Sequence, residues 1–100
     1  MIKNCKIKDA GLVFNAHFNV YYIQVELDFG GGGACITFPV DHAREFVSMF
    51  DDELDFEDGA YLHQLKGHPA VVQTDNNGKI IAIGSFLMKQ NELMPIKGVL

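Results

Sequence analysis

The stretch that decides the fold is Phe18-Asn19-Val20-Tyr21-Tyr22-Ile23-Gln24-Val25-Glu26-Leu27-Asp28-Phe29. Its odd positions Tyr21, Ile23, Val25, Leu27 and Phe29 are apolar without a break, the period-two pattern of a strand with one buried face. On the other face Phe18, Val20 and Tyr22 are apolar and Gln24, Glu26 and Asp28 polar. The reading is a strand buried on both faces at its start, half-solvated at its end, and central in its sheet.

Gly30-Gly31-Gly32-Gly33 follows, and then Ala34, Ile36, Phe38 and Val40 share one face of a second strand. Two strands joined by a short glycine link form a hairpin. Upstream, Ile2 to Asp9 alternates loosely between apolar and charged residues, as a half-buried strand does. Downstream, Pro39 ends the hairpin and Asp41 is a suitable N-cap. Ala43, Phe46, Val47 and Phe50 then lie at i, i+3, i+4 and i+7, a helical stripe made to cover a sheet. Ala60 to Leu65 fits one helical turn with Tyr61, Leu62 and Leu65 inward, and Gly67 sits where a helix-ending glycine belongs. Ala70 to Thr74 and Lys79 to Leu87 are two more strand-like runs, joined through Asn77-Gly78, a tight-turn dipeptide. The expected fold is α+β: an antiparallel sheet of about five strands with one main covering helix, in the order β-β-β-α-β-β. Residues 1–100 read as a single domain, with a less regular tail over 88–100 because Pro95 and Gly98 break any element.

Composition narrows the function. With 48% hydrophobic residues in 100, the chain can bury a core without staples. Eight Lys and Arg against 13 Asp and Glu leave a net charge of −5, and no basic run offsets it, which argues against direct nucleic-acid binding. Two cysteines, Cys5 and Cys35, are too few for a disulfide scaffold. The first residues lack the apolar core of a signal peptide, and no window is apolar enough to span a membrane. A cytoplasmic protein with reduced thiols is the expectation.

The sharpest local feature is Asp51-Asp52-Glu53-Leu54-Asp55-Phe56-Glu57-Asp58, six acids in eight residues. As a calcium loop it fails, because Phe56 stands where the loop needs glycine. A magnesium site would need only one or two of these carboxylates. Acids at the end of a helix oppose its dipole, so their placement there fits docking onto a basic partner. The partner-binding candidates are therefore Asp51, Asp52, Glu53, Asp55, Glu57 and Asp58, and Gly30, Gly31, Gly32 and Gly33 are the candidate ligand loop. That loop joins two strands instead of opening a helix and has no Lys-Ser/Thr pair, so a plain hairpin link competes with a phosphate cradle.

Catalytic and metal motifs are missing. His17, His42, His63 and His68 have no metal-ligand spacing, Cys5 and Cys35 read as small buried hydrophobes, and Ser48 and Ser85 lack a nucleophile elbow. No cofactor and no enzyme activity is expected. Phe18, Tyr21 and Tyr22 read as burial under the helix on one side and a homodimer contact on the other.

Leu65-Lys66-Gly67 before an apolar strand, and Asp75-x-x-Gly78-Lys79-Ile80-Ile81-Ala82-Ile83-Gly84 after it, resemble the C-terminal half of small uncharacterised phage and prophage proteins. Asn4-x-x-Ile7-x-x-Ala10 and Leu27-Asp28-Phe29-Gly30 resemble the same group. The chain departs from it at Ala34 to Phe38, where those proteins carry Phe-Gly-Gly-Tyr, and lacks their Trp-Phe tail. The resemblance implies a phage-encoded, non-enzymatic inhibitor that holds a host nuclease or defence complex, here through an acidic surface on a basic host protein. The alternatives are a protein that binds or sequesters a nucleotide-type small molecule, and a structural phage component.

Overall fold

The computed structural model describes residues 1–50 and 62–96. Six strands form one sheet: β1 Ile2–Asn15, β2 Val20–Asp28, β3 Gly33–Pro39, β4 Pro69–Thr74, β5 Ile80–Ser85 and β6 Met94–Pro95. Their spatial order is β3-β2-β1-β4-β5-β6, with every neighbouring pair antiparallel. One helix, α1 Ala43–Ser48, follows a 3₁₀ turn at Val40–His42, and further 3₁₀ turns occupy Leu62–Leu65 and Gln90–Glu92. The α+β class therefore holds, with a sixth, two-residue strand. None of the described helices is long and apolar enough to cross a membrane.

β1 is longer than its pattern indicated because it contains a bulge. Ile7 pairs with Leu27 and Asp9 with Glu26, so Lys8 is an extra residue. The insertion moves the inward positions from odd (Cys5, Ile7) to even (Ala10, Leu12, Phe14), and the simple alternation breaks off at Asp9 although the strand continues to Asn15. The β1–β2 turn is closed by Asn15, whose Oδ1 accepts hydrogen bonds from the amides of His17 at 3.1 Å and Phe18 at 3.3 Å. Asn19 takes the left-handed conformation, φ 54°, which a short amide side chain tolerates.

From the β3 edge the chain returns across the sheet to β4. The described parts of that crossover pack on one face, with Phe46, Phe50 and Leu65 fully buried against Ile7, Ile23, Val25, Leu27, Phe38, Val72 and Ile83. The phenyl rings of Phe38 and Phe46 lie 5.1 Å apart, and those of Phe46 and Phe50 5.4 Å. Each such ring contributes roughly 1.5–3 kcal/mol on burial. The α1 stripe thus reads correctly from sequence. Asp41 does not cap it: it lies inside the 3₁₀ turn, and no side-chain hydrogen bond caps either helix start. Leu62 and Leu65 turn inward as expected, while Tyr61 lies outside the described residues.

Both faces are buried along β4 and the second half of β5, not at the start of β2. On the reverse of the sheet Val71, Ala82 and Leu93 form a second, small core with Met88. Gly84 permits it, since a Cβ there would meet Leu93 Cδ2 at 2.6 Å and Met88 Sδ at 2.8 Å. The tail holds the 3₁₀ turn Gln90–Glu92 and β6, which pairs through Met94 with Ile83. β2 sits between β3 and β1, inside the sheet, but Phe18 and Tyr21 near its start are half-exposed. The expected burial of both faces there is overturned, with Phe18 and Tyr21 about half exposed.

Candidate functional site

The glycine link between β2 and β3 is a turn held by its own hydrogen bonds. The Phe29 amide donates to the Gly32 carbonyl at 2.8 Å, and the Gly30 amide donates to Asp28 Oδ1 at 2.8 Å. Gly30 has φ 92°, where a side chain would be strained. A Cβ on Gly33 would stand 3.0 Å from the Leu27 carbonyl, whereas Gly31 and Gly32 face open space. Two of the four glycines are thus required by the turn itself.

Gly30 also borders a cleft of ≈ 630 Å³. Asn4, Cys5 and Lys6 of β1, Asp28 and Phe29 at the end of β2, Pro69 and Ala70 of β4 and Phe86 just past β5 complete its lining. Lys6 stands directly opposite Asp28 on one side and Pro69 on the other. Phe86 is 47% exposed and forms an apolar wall. The arrangement offers a cationic point charge with a carboxylate, Asp28, opposite it, one side-chain amide and an exposed aromatic face within a space that suits a small ligand. Such a set can hold a planar molecule that carries an anionic group. Gly32 and Gly33 border a different cleft of ≈ 510 Å³, beside Lys8, Glu26 and Cys35. Gly30 and the pair Gly32 and Gly33 thus border different clefts.

Sequence reading missed Asn4, Lys6 and Phe86. They lie on segments up to 82 positions apart, and only the strand order β2-β1-β4-β5 brings them together. No local spacing carries that signal.

Asp51, Asp52, Glu53, Asp55, Glu57 and Asp58 lie outside the described residues. The stretch that contains them runs between two buried anchors, Phe50 and Leu65.

Both cysteines are free thiols, and their settings differ. Cys5 is buried, its Sγ donating to the Ala70 carbonyl at 3.6 Å, and burial pushes its thiol up from 9.0 to about 11. Cys35 is exposed on β3, which corrects the expectation of two buried cysteines, since β3 turns it to the face opposite Ile36. Partial desolvation, and then the charge of Glu26, raise its pKa, so neither thiol is activated as a nucleophile. His42 Nδ1 lies 3.7 Å from Glu45 Oε2, and the His68 ring lies 5.8 Å from that of Phe50. Ser48 donates to the Glu45 carbonyl at 2.8 Å, and Ser85 is buried. Among the described residues no group of three His, Cys, Asp or Glu side chains is placed to hold a metal ion.

Compared with protein-family models, curated proteins and solved structures, the chain matches none.

Proposed function

We propose that this protein acts by stoichiometric binding to a partner protein with a basic surface. The observation that carries this reading is the concentration of six carboxylates in the eight residues Asp51 to Asp58, in a chain of net charge −5. The buried anchors Phe50 and Leu65 tie both flanks of that stretch to the sheet, which supports a stable scaffold behind a charged recognition segment. A dense negative segment accelerates encounter with a basic groove and discriminates against acidic partners. Following the resemblance to small phage proteins, the partner class is a host nuclease or defence complex whose basic groove normally takes nucleic-acid backbone, and the mode is inhibition without chemistry. A pull-down from host lysate at low and high salt tests this. One stoichiometric partner retained at low salt and lost at high salt supports it, and no partner at either salt rejects it.

The ≈ 630 Å³ cleft favours a second reading, in which the protein binds a small anionic aromatic molecule of nucleotide type. Lys6 would face the anionic group and Phe86 the ring. A nucleotide that raises the melting temperature of the native chain, but not of K6E or F86A, supports this reading.

A further inference from the structure

We propose that the protein forms a two-fold symmetric dimer in which the distal half of β1 pairs antiparallel with the same segment of a second copy, with Leu12 on the axis. β4 flanks β1 only along Ile2 to Lys6, and the Ile7 amide then bonds the His68 carbonyl at 2.8 Å. Beyond Ile7, no described strand flanks β1 on that side. The direction of its backbone groups follows from the register. The Ile7 amide and carbonyl point away from β2, toward His68 and Gly67, and the Phe29 amide points toward β3. Alternation from these two anchors, through the bulge at Lys8, turns Asp9, Gly11, Val13 and Asn15 toward β2 and leaves Ala10, Leu12 and Phe14 directed outward. The Asp9 carboxylate accepts from the Ala10 amide at 2.9 Å. Among the described residues no backbone group partners the amides and carbonyls of Leu12 and Phe14 on that side, an edge of the kind that recruits another strand.

The side chains on this edge select a second copy. Leu12 is 56% exposed, Phe14 46% and Tyr21 56%, all on the face that elsewhere forms the core. With Leu12 opposite its own copy, Ala10 faces Phe14, Gly11 faces Val13 and Asp9 faces Asn15. No like charges meet. Phe14 of each copy lies over the small Ala10 of the other, and an added Cβ on Gly11 would meet nothing within 4 Å, so Val13 has room opposite it. At about half of ~200 Å² each, Leu12 and Phe14 offer roughly 400 Å² over two copies, and Tyr21 on β2 extends the same apolar face behind them. Seven residues of paired backbone per copy bring the total toward the ~1,000 Å² that a specific interface needs. The outer edge of the sheet at β3 offers less, because its large apolar side chains Ile36 and Phe38 are already buried.

The test is the mass of the full chain in solution, by light scattering over a range of concentrations. Twice 11.1 kDa is expected for the native chain, and 11.1 kDa for L12K, which places two ammonium groups together on the axis while leaving the circular dichroism spectrum unchanged. In a C5A/C35S background, L12C should form an inter-copy disulfide on mild oxidation, since facing residues of a hydrogen-bonded pair stand about 5.5 Å apart, and T37C on β3 should not. A chain of 11.1 kDa at every concentration, a dimer that survives L12K, or cross-linking at T37C in place of L12C would each overturn the proposal.

Discussion

Phe14 of β1 and Tyr21 of β2 face each other directly across the first hairpin, their ring centroids 4.8 Å apart and tilted by 50°, yet about half of each ring is exposed. The pair continues the apolar face of the sheet past the end of its cover. A cross-strand aromatic pair of this geometry couples by roughly 0.5–1.5 kcal/mol. The double-mutant cycle of F14A and Y21A, read by urea unfolding at a concentration low enough to keep the chain monomeric, should return a coupling in that range. A coupling of zero would show that the two rings only share a surface.

Phe46 behaves differently because it is fully buried between Phe38 and Phe50. Truncation there removes contacts on both sides and opens a void, so F46A should cost about 3–5 kcal/mol, several times either hairpin substitution. The measurement is the midpoint of chemical unfolding at unchanged slope.

Cys5 gives the fold a pH dependence of definite sign. Its thiol keeps its proton up to about 11 in the folded protein, against 9.0 ordinarily. The unfolded chain therefore releases this proton first as pH rises. The stabilising contribution is complete below 9.0 and is lost as pH rises toward about 11. The difference in unfolding free energy between the native chain and C5A should shift against the native chain across that window and stay constant below it. Ellman's reagent at pH 8 should label Cys35 readily and Cys5 only as the fold opens, given their opposite exposure.

Gly78 closes the β4–β5 turn at φ 83°, and Asp75 Oδ1 accepts from the amides of Asn77 and Lys79, each at 2.9 Å. No side chain is blocked there, so the cost of G78A is conformational alone, about 1 kcal/mol. D75A should cost a similar amount by stripping both amides of their acceptor. Thermal melts of the two variants separate backbone strain from turn hydrogen bonding.

Where the periodicity was unbroken, the fold was legible in the residues. Ile23, Val25 and Leu27 point into the core, Phe46 and Phe50 cover it, and the chain turns at Gly78, although Asn77 does not share its positive φ as the tight Asn-Gly turn requires. Bulges defeat a strict period of two, and the one at Lys8 hid the distal half of β1 and with it the first hairpin. The exposure of Tyr21 was equally hidden, because an apolar residue in register with a core reads as core wherever the cover ends. The cleft was illegible for another reason: Lys6 and Phe86 meet only because β4 inserts beside β1, a long-range choice of strand order. The glycine link was legible as a turn, but which glycine borders which cleft needed coordinates.

Association through the acidic stretch is the central claim, and the most direct measurement is the capture of host partner by the native chain and by a D51N/D52N/D55N/D58N variant, side by side at low and high salt. The account predicts one stoichiometric partner on the native chain, released by salt, and much weaker capture by the variant at low salt with its fold unchanged by circular dichroism. Equal capture by both chains, unaffected by salt, would contradict it.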